Sequence, residues 1–202
     1  MARPRGVEDA VILRAAVDVI GRSGPGGLTL AAVAREVGLV PGTLVQRFGS
    51  KRGLLLALAE QAAREAEDLP VRARQGHDSP LAALEALLVS STEHMATPEA
   101  FAHHLGVLCI DLTDPEFHRH ALAVHRAQQR AVEALLGEAA GAGELRPGTD
   151  TAALAATVQA AAAGAGLVWA LDRSGSLADR VRRELAAVLR AHQPHHPRPE
   201  ER

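Results

Sequence analysis

Between Thr29 and Phe48 the chain carries an ordered set of side chains suited to reading a nucleic acid. Gly42 and Thr43 are small enough to bring a backbone close to base edges, and Gln46 and Arg47 are long enough to reach bases or phosphates. These four are useful only if a short helix carries them outward together. The residues around them have the types that a steep helix-turn-helix crossing demands. Ala34 stands where one helix faces the next at close range. Gly38 follows four residues later, where the backbone must reverse through left-handed φ. Val33, Val37, Leu39, Leu44 and Phe48 supply inward anchors. Small-x₃-Gly also occurs in plain helical hairpins, so the spacing alone leaves that alternative open.

Charge favours the nucleic-acid reading. The whole chain of 202 residues has 22 Lys+Arg and 24 Asp+Glu, a net charge of −2. Residues 1–52 hold eight basic side chains against four acids, and the remainder holds 14 against 20. A basic front on an acidic body points to a polyanion partner for the front alone. A merely solvated helix surface is the bland alternative.

The elements that must position these residues are helices. Alanine is about a fifth of the chain, Tyr is absent, and there are three Phe and one Trp, a composition of helix formers without strand formers. Apolar spacing predicts a first helix over 7–23, ended by Gly24-Pro25-Gly26-Gly27. Short helices are predicted over 30–37, capped by Thr29, and from Pro41 to Phe48, with a fourth over 51–68 capped by Ser50. A break follows over 69–79. Ser79-Pro80, Thr97-Pro98 and Asp114-Pro115 each put a capping residue before a proline at the first helical position. They open helices over 80–95, 98–112 and 115–141. Two more follow, from 149 or 150 to 171 and over 176–192. The fold class is all-α with nine helices per subunit: a helix-turn-helix domain over 1–50, a helical body over 51–192 and a flexible tail over 193–202.

The lone Cys109 excludes an internal disulfide framework and a Cys-rich zinc module. The stretch 152–171 is long but mostly alanine and glycine, too weakly apolar to insert well, and the N-terminus lacks an apolar signal core. The expectation is a cytoplasmic protein with no membrane partner.

The run Ile12-Leu13-Arg14-Ala15-Ala16, Leu28-Thr29-Leu30, Val33-Ala34, Gly38-Leu39, Gly42-Thr43-Leu44, Phe48, Ser50-Lys51 and Leu54-Leu55 resembles the TetR (tetracycline-repressor) family of bacterial transcription regulators. The remainder is similar in plan: Asp114-Pro115-Glu116 opens a long helix, Gly143 to Pro147 closes it, and two helices with a late Trp169 follow. The resemblance implies a double-stranded DNA operator, contacted from Thr29, Gly42, Thr43, Val45, Gln46, Arg47 and Lys51. It also implies a C-terminal portion that binds ligand and dimerises. Two positions depart from the family pattern. Val45 replaces an aromatic and Val40 a serine, and each loses a hydroxyl for phosphate. Arg47, Arg52 and an arm containing Arg3 and Arg5 are candidates to compensate, and packing against the first helix is the simpler role for Val45. Lys51 is the only lysine in the chain.

The body carries apolar stripes interrupted by a few polar groups, as a small-molecule cavity does. Leu81, Leu84, Leu88, Ser91 and Met95 form one stripe, Phe101, Leu105, Leu108 and Leu112 a second, and Phe117, Ala121, Val124, Gln128, Ala131 and Leu135 a third. The expected effector is largely apolar and meets Ser91, Met95, Phe101, His104, Leu108, Phe117, Val124, Gln128 and Trp169. Otherwise Ser91 bonds back to its own helix and Gln128 lies at a helix–helix seam. His94, His103, His104, His118, His120 and His125 contain no pair at metal-binding i, i+3 or i+4 spacing. No metal, cofactor or catalytic residue is expected, since phosphate-loop, serine-hydrolase and zinc-protease motifs are all missing. A helical enzyme or small-molecule binder that keeps the fold without operator binding is the alternative function. For a homodimer seam the sequence offers Leu154, Val158, Ala161 and Ala165 on the eighth helix and Val181, Leu185 and Val188 on the ninth.

Overall fold

The computed structural model describes residues 7–194; Arg3, Arg5 and the tail residues His195 and His196 lie outside them. All regular structure among the described residues is helical: α1 (Asp9–Gly27), α2 (Leu30–Glu36), α3 (Pro41–Phe48), α4 (Lys51–Glu67), α5 (Leu69–Arg74), α6 (Pro80–Ser90), α7 (Pro98–Thr113), α8 (Pro115–Gly141), α9 (Thr151–Asp172) and α10 (Leu177–Arg190), with a 3-10 turn at Glu93–Met95. The sequence reading differs by one element. Residues 69–74, expected as part of a break, form α5, because Pro70 sits at its first turn, where a missing N–H costs nothing, and Arg72 N–H closes on the Asp68 carbonyl. The chain divides into two compact units, one of residues up to Ala66 with His94–Val124, the other of Glu67–Glu93 with the chain from His125.

In the first unit, the helical spacing of α1 turns Ile12, Leu13, Ala16, Val19 and Ile20 to one side, and all are buried. They form a single core with Leu28, Val33, Ala34, Leu44, Leu54, Leu55 and Phe117. Burying each large aliphatic side chain contributes roughly 1.5–3 kcal/mol. The helix does not stop at Ser23. It breaks at Gly24 (φ 68°, ψ 173°) and resumes to Gly27 with Pro25 in its new first turn. This break lies against α7, where His103 Nδ1 donates to the Gly21 carbonyl at 2.8 Å.

In the second unit, Ala83 and Leu84 of α6, Val132, Leu135, Leu136 and Ala139 of α8, Leu154, Ala155 and Val158 of α9 and Leu185 and Leu189 of α10 share one core. The capped helix starts behave as their sequences require. Ser79, Asp150 and Ser176 accept the N–H groups of Ala82, Ala153 and Asp179 at 3.0–3.2 Å, each satisfying a donor that the helix leaves open. Glu144 adds to the first of these caps, accepting from the Ser79 hydroxyl and the Leu81 N–H.

The proposed dimer seam needs correction. Leu154, Val158, Ala165, Val181 and Leu185 are each 5% exposed or less within one subunit, and Ala161 and Val188 are half-buried. The Val181, Leu185 and Val188 stripe of α10 packs this helix into its own unit. The apolar side left open belongs to α9: Leu167, Val168 and Leu171 are 51%, 43% and 78% exposed, in line with Ala160, Ala163 and Gly164. By length and composition alone α9 is apolar enough to cross a bilayer, a test that helices packed in a protein core also pass, and a third of its apolar window is buried within the subunit.

Candidate nucleic-acid interface

The crossing of α2 and α3 is built as their sequence demands. Ala34 and Leu44 have no exposed surface, so the two helices meet without a gap. Gly38 takes φ 68° between them, and the Leu39 N–H returns to the Ala34 carbonyl at 2.8 Å. That left-handed turn favours glycine because a Cβ would crowd the following carbonyl. Thr29 caps α2 by accepting the Ala32 N–H at 3.0 Å.

With Val33, Ala34 and Leu44 fixed in the core, α3 presents its other side to solvent. Gly42, Val45 and Gln46 stand there at i, i+3 and i+4 and are all exposed, while Thr43 is half-buried. Val45 is 51% exposed, so the expectation that it packs on α1 is corrected: about 100° of helix rotation turns it away from the buried Leu44. Val40, 68% exposed, occupies the α3 cap position and makes no side-chain cap bond, as its chemistry requires.

Arg47, Lys51 and Arg52 are engaged inside the unit. Arg47 donates to the Val7 carbonyl and to Asp9 Oδ1, at 2.5 and 3.0 Å, tying the end of α3 to the start of α1. Lys51 Nζ donates to the Pro25 carbonyl at 2.5 Å and is partly buried. Arg52, expected as a reserve for phosphate, is instead committed to Asp114 and Glu116 at 2.9 and 2.8 Å, with its guanidinium 5.2 Å from the Phe117 ring centre. The hydrogen bonds that Arg52 donates to Asp114 and then to Glu116 raise the Arg52 pKa, and those that Asp114 accepts from Arg52 and the Glu116 N–H hold it below the ordinary 3.8. The sequence hid this clamp because Asp114-Pro115-Glu116 also reads as a helix start, which it is.

The expected effector residues have varied surroundings. Met95, Phe101 and Phe117 are buried in the first unit, Phe117 within the core beneath Arg52. Val124 is half-buried and Leu108 is 39% exposed. His104 packs edge-on against His94, with ring centres 5.4 Å apart, a pairing between elements that helix spacing could not reveal. His104 is exposed, and partial desolvation of its imidazole beside His94, then the His94 charge, lower its pKa. In the second unit Gln128 is half-buried. Ser91 is exposed and its hydroxyl donates back to the Leu88 carbonyl at 2.7 Å, the own-helix alternative. Trp169 is buried, and its indole N–H donates to the Gly175 carbonyl at 3.0 Å, closing the α9–α10 turn. Two open clefts of about 480 and 390 Å³ lie along α6 and α10, around Glu85 and Arg182, and none of the nine residues lines them. No three His, Cys, Asp or Glu side chains among the described residues converge as metal ligands would.

A buried two-helix crossing that holds a short helix with one open, hydrogen-bond-capable side defines a helix-turn-helix regulator. Residues 12–58 match the family model of bacterial regulatory proteins of the tetR family, and residues 110–185 match that of the tetracyclin repressor-like C-terminal domain. Together these span more than half of the sequence, and the chain belongs to the TetR family of transcriptional regulators. No curated protein matches the sequence. Solved structures with the same fold include SmeT, the repressor of the Stenotrophomonas maltophilia multidrug efflux pump SmeDEF. It is 21% identical, the match covers 98% of this chain and 97% of that one, and the TM-score is 0.66. A transcriptional regulator from Saccharomonospora viridis in complex with choline is 19% identical over 93% of this chain and 98% of that one, with a TM-score of 0.73. A TetR-family regulator from Agrobacterium tumefaciens is 21% identical over 92% and 97%, with a TM-score of 0.70.

Proposed function

We propose that the protein is a cytoplasmic homodimeric repressor that binds a double-stranded DNA operator through α3 and leaves it when a small, largely apolar effector binds. The observation that carries this reading is the open side of α3, where Gly42, Val45 and Gln46 face solvent while Val33, Ala34 and Leu44 lock the helix from behind. Residues 1–50 act as the reader, with Thr29, Thr43, Arg47 and Lys51 at its edge toward the phosphates. Residues 51–192 carry the effector and dimer functions. The open apolar side of α9, around Leu167, Val168 and Leu171, supports self-association through that helix. Two-fold pairing suits a reader that must present two copies of α3 to two half-sites. That one neighbour is a repressor and another was captured with choline supports a small-molecule signal. The effector acts on DNA binding only through its differential affinity for the two conformations of the subunit.

The test is retention of the full chain on immobilised duplex DNA under a salt gradient. Retention at low salt with release as salt rises is expected, because neutralised phosphates release counterions. Passage through the column at low salt would remove the operator reading. For the effector, a compound found by a raised melting temperature should weaken duplex binding by the same factor by which the duplex weakens binding of the compound.

A further inference from the structure

Gly42 lies in the first turn of α3 at ordinary negative φ, and a Cβ built on it would meet nothing within 4 Å. Among the described residues, therefore, nothing requires glycine there, although glycine in a helix is disfavoured against alanine. The space it leaves open suits an object that comes against the backbone from outside the described residues. One turn later on the same side stand Val45, 51% exposed, and Gln46, exposed and with no side-chain hydrogen bond among the described residues. Lone exposed valines are ordinary on protein surfaces. Here the valine sits beside a free carboxamide and one turn beyond an unfilled backbone position. Such a surface is matched in shape and chemistry to one kind of groove floor.

We infer that Val45 reads the C5-methyl group of a thymine in the major groove. This rests on the operator reading above. The major groove offers one apolar group, the thymine methyl, and aliphatic side chains are its partners there. Gln46, next in the chain, has the donor and acceptor that match adenine N6 and N7. Gly42 lets the backbone approach so that both side chains reach the base edges. A valine at this position carries no phosphate contact, so the cost of losing an aromatic hydroxyl is answered by a sequence-reading contact. Each half-site then contains a thymine facing Val45 with an adenine beside it for Gln46.

The test uses the full chain. Duplexes bound from a random pool are isolated, and in the tightest one each thymine is replaced singly by deoxyuridine, which removes the methyl and leaves every base-pairing and groove hydrogen-bonding group in place. One thymine per half-site should respond, with affinity falling about fourfold for the lost methyl. Val45→Ala should bind the thymine and uracil duplexes alike, whereas Gly42→Ala should weaken both while melting no lower than the parent. Sequence-selective binding that is indifferent to every thymine-to-uracil change, or a Val45→Ala protein that keeps the full thymine preference, would overturn the methyl contact and leave the operator reading intact. No selective duplex at all would overturn the operator reading, and this inference with it.

Discussion

Arg52 and Asp114 are joined by a 2.9 Å ion pair that fastens the first turn of α4 to the residue preceding α8, and Glu116 and the Phe117 ring complete the grip on the same guanidinium. Asp114 is held below its ordinary 3.8, mainly by that hydrogen bond. A depressed carboxylate pKa contributes stability above 3.8 that disappears as pH falls through the folded value. Asp114→Asn should therefore melt lower than the parent at neutral pH and converge with it in acid below 3.8. Melting curves taken across that range check this, and a difference that persists in acid would assign the effect to packing.

Phosphate contact by Arg47 must compete with Asp9, 3.0 Å away. Asp9→Ala should release the guanidinium and strengthen duplex binding, while Arg47→Ala weakens it. Lys51→Ala should flatten the slope of log affinity against log salt by about one unit. Anisotropy titrations at several salt concentrations separate the three. Weaker binding by Asp9→Ala would show that the pair serves only to hold α1 against α3.

Leu167→Glu or Leu171→Glu should give folded monomers with sharply reduced operator affinity, because either charge lands on the open side of α9. Leu185→Glu should instead unfold the protein, since Leu185 is 5% exposed and a carboxylate in that core costs at least about 4 kcal/mol. Sedimentation and circular dichroism read the two outcomes. A dimeric Leu171→Glu/Leu167→Glu protein would move the interface off this face.

Gly24→Ala should destabilise by about 1–3 kcal/mol in urea, because φ 68° with ψ 173° is a region that only glycine occupies readily. The new Cβ would also meet His103 Cδ2 at 3.0 Å. His103→Ala should relieve that second part only, so a double-mutant cycle measures how tightly the α1 break is seated on α7.

The reader was legible from sequence because its demands are local. Ala34, Gly38 and Leu44 are close in the chain, and each position tolerates few residue types. The proline-led starts of α6, α7 and α8 were legible for the same reason. Features that join distant segments were not. Periodicity identified the apolar stripes of α9 and α10 but could not say whether their partner was the same subunit or another, and the buried Leu154, Val158 and Leu185 answer that it is the same one. Nor could spacing foresee that Arg52 would be claimed by two acids more than sixty residues away, that His94 and His104 would meet, or that Ser91 would bond to its own helix. The departure at Val45 was visible, but its meaning depended on knowing which way α3 faces.

The indole of Trp169, sealed at the α9–α10 turn with its N–H on Gly175, has an optical consequence. The chain contains no tyrosine and no second tryptophan, so its near-ultraviolet absorption and intrinsic fluorescence come almost entirely from this one ring. At 2% exposure the ring is screened from water, and its emission should be blue-shifted in the native protein and move red when the turn opens. Any event that loosens α9 from α10 thus reports itself through a single built-in chromophore, without a label.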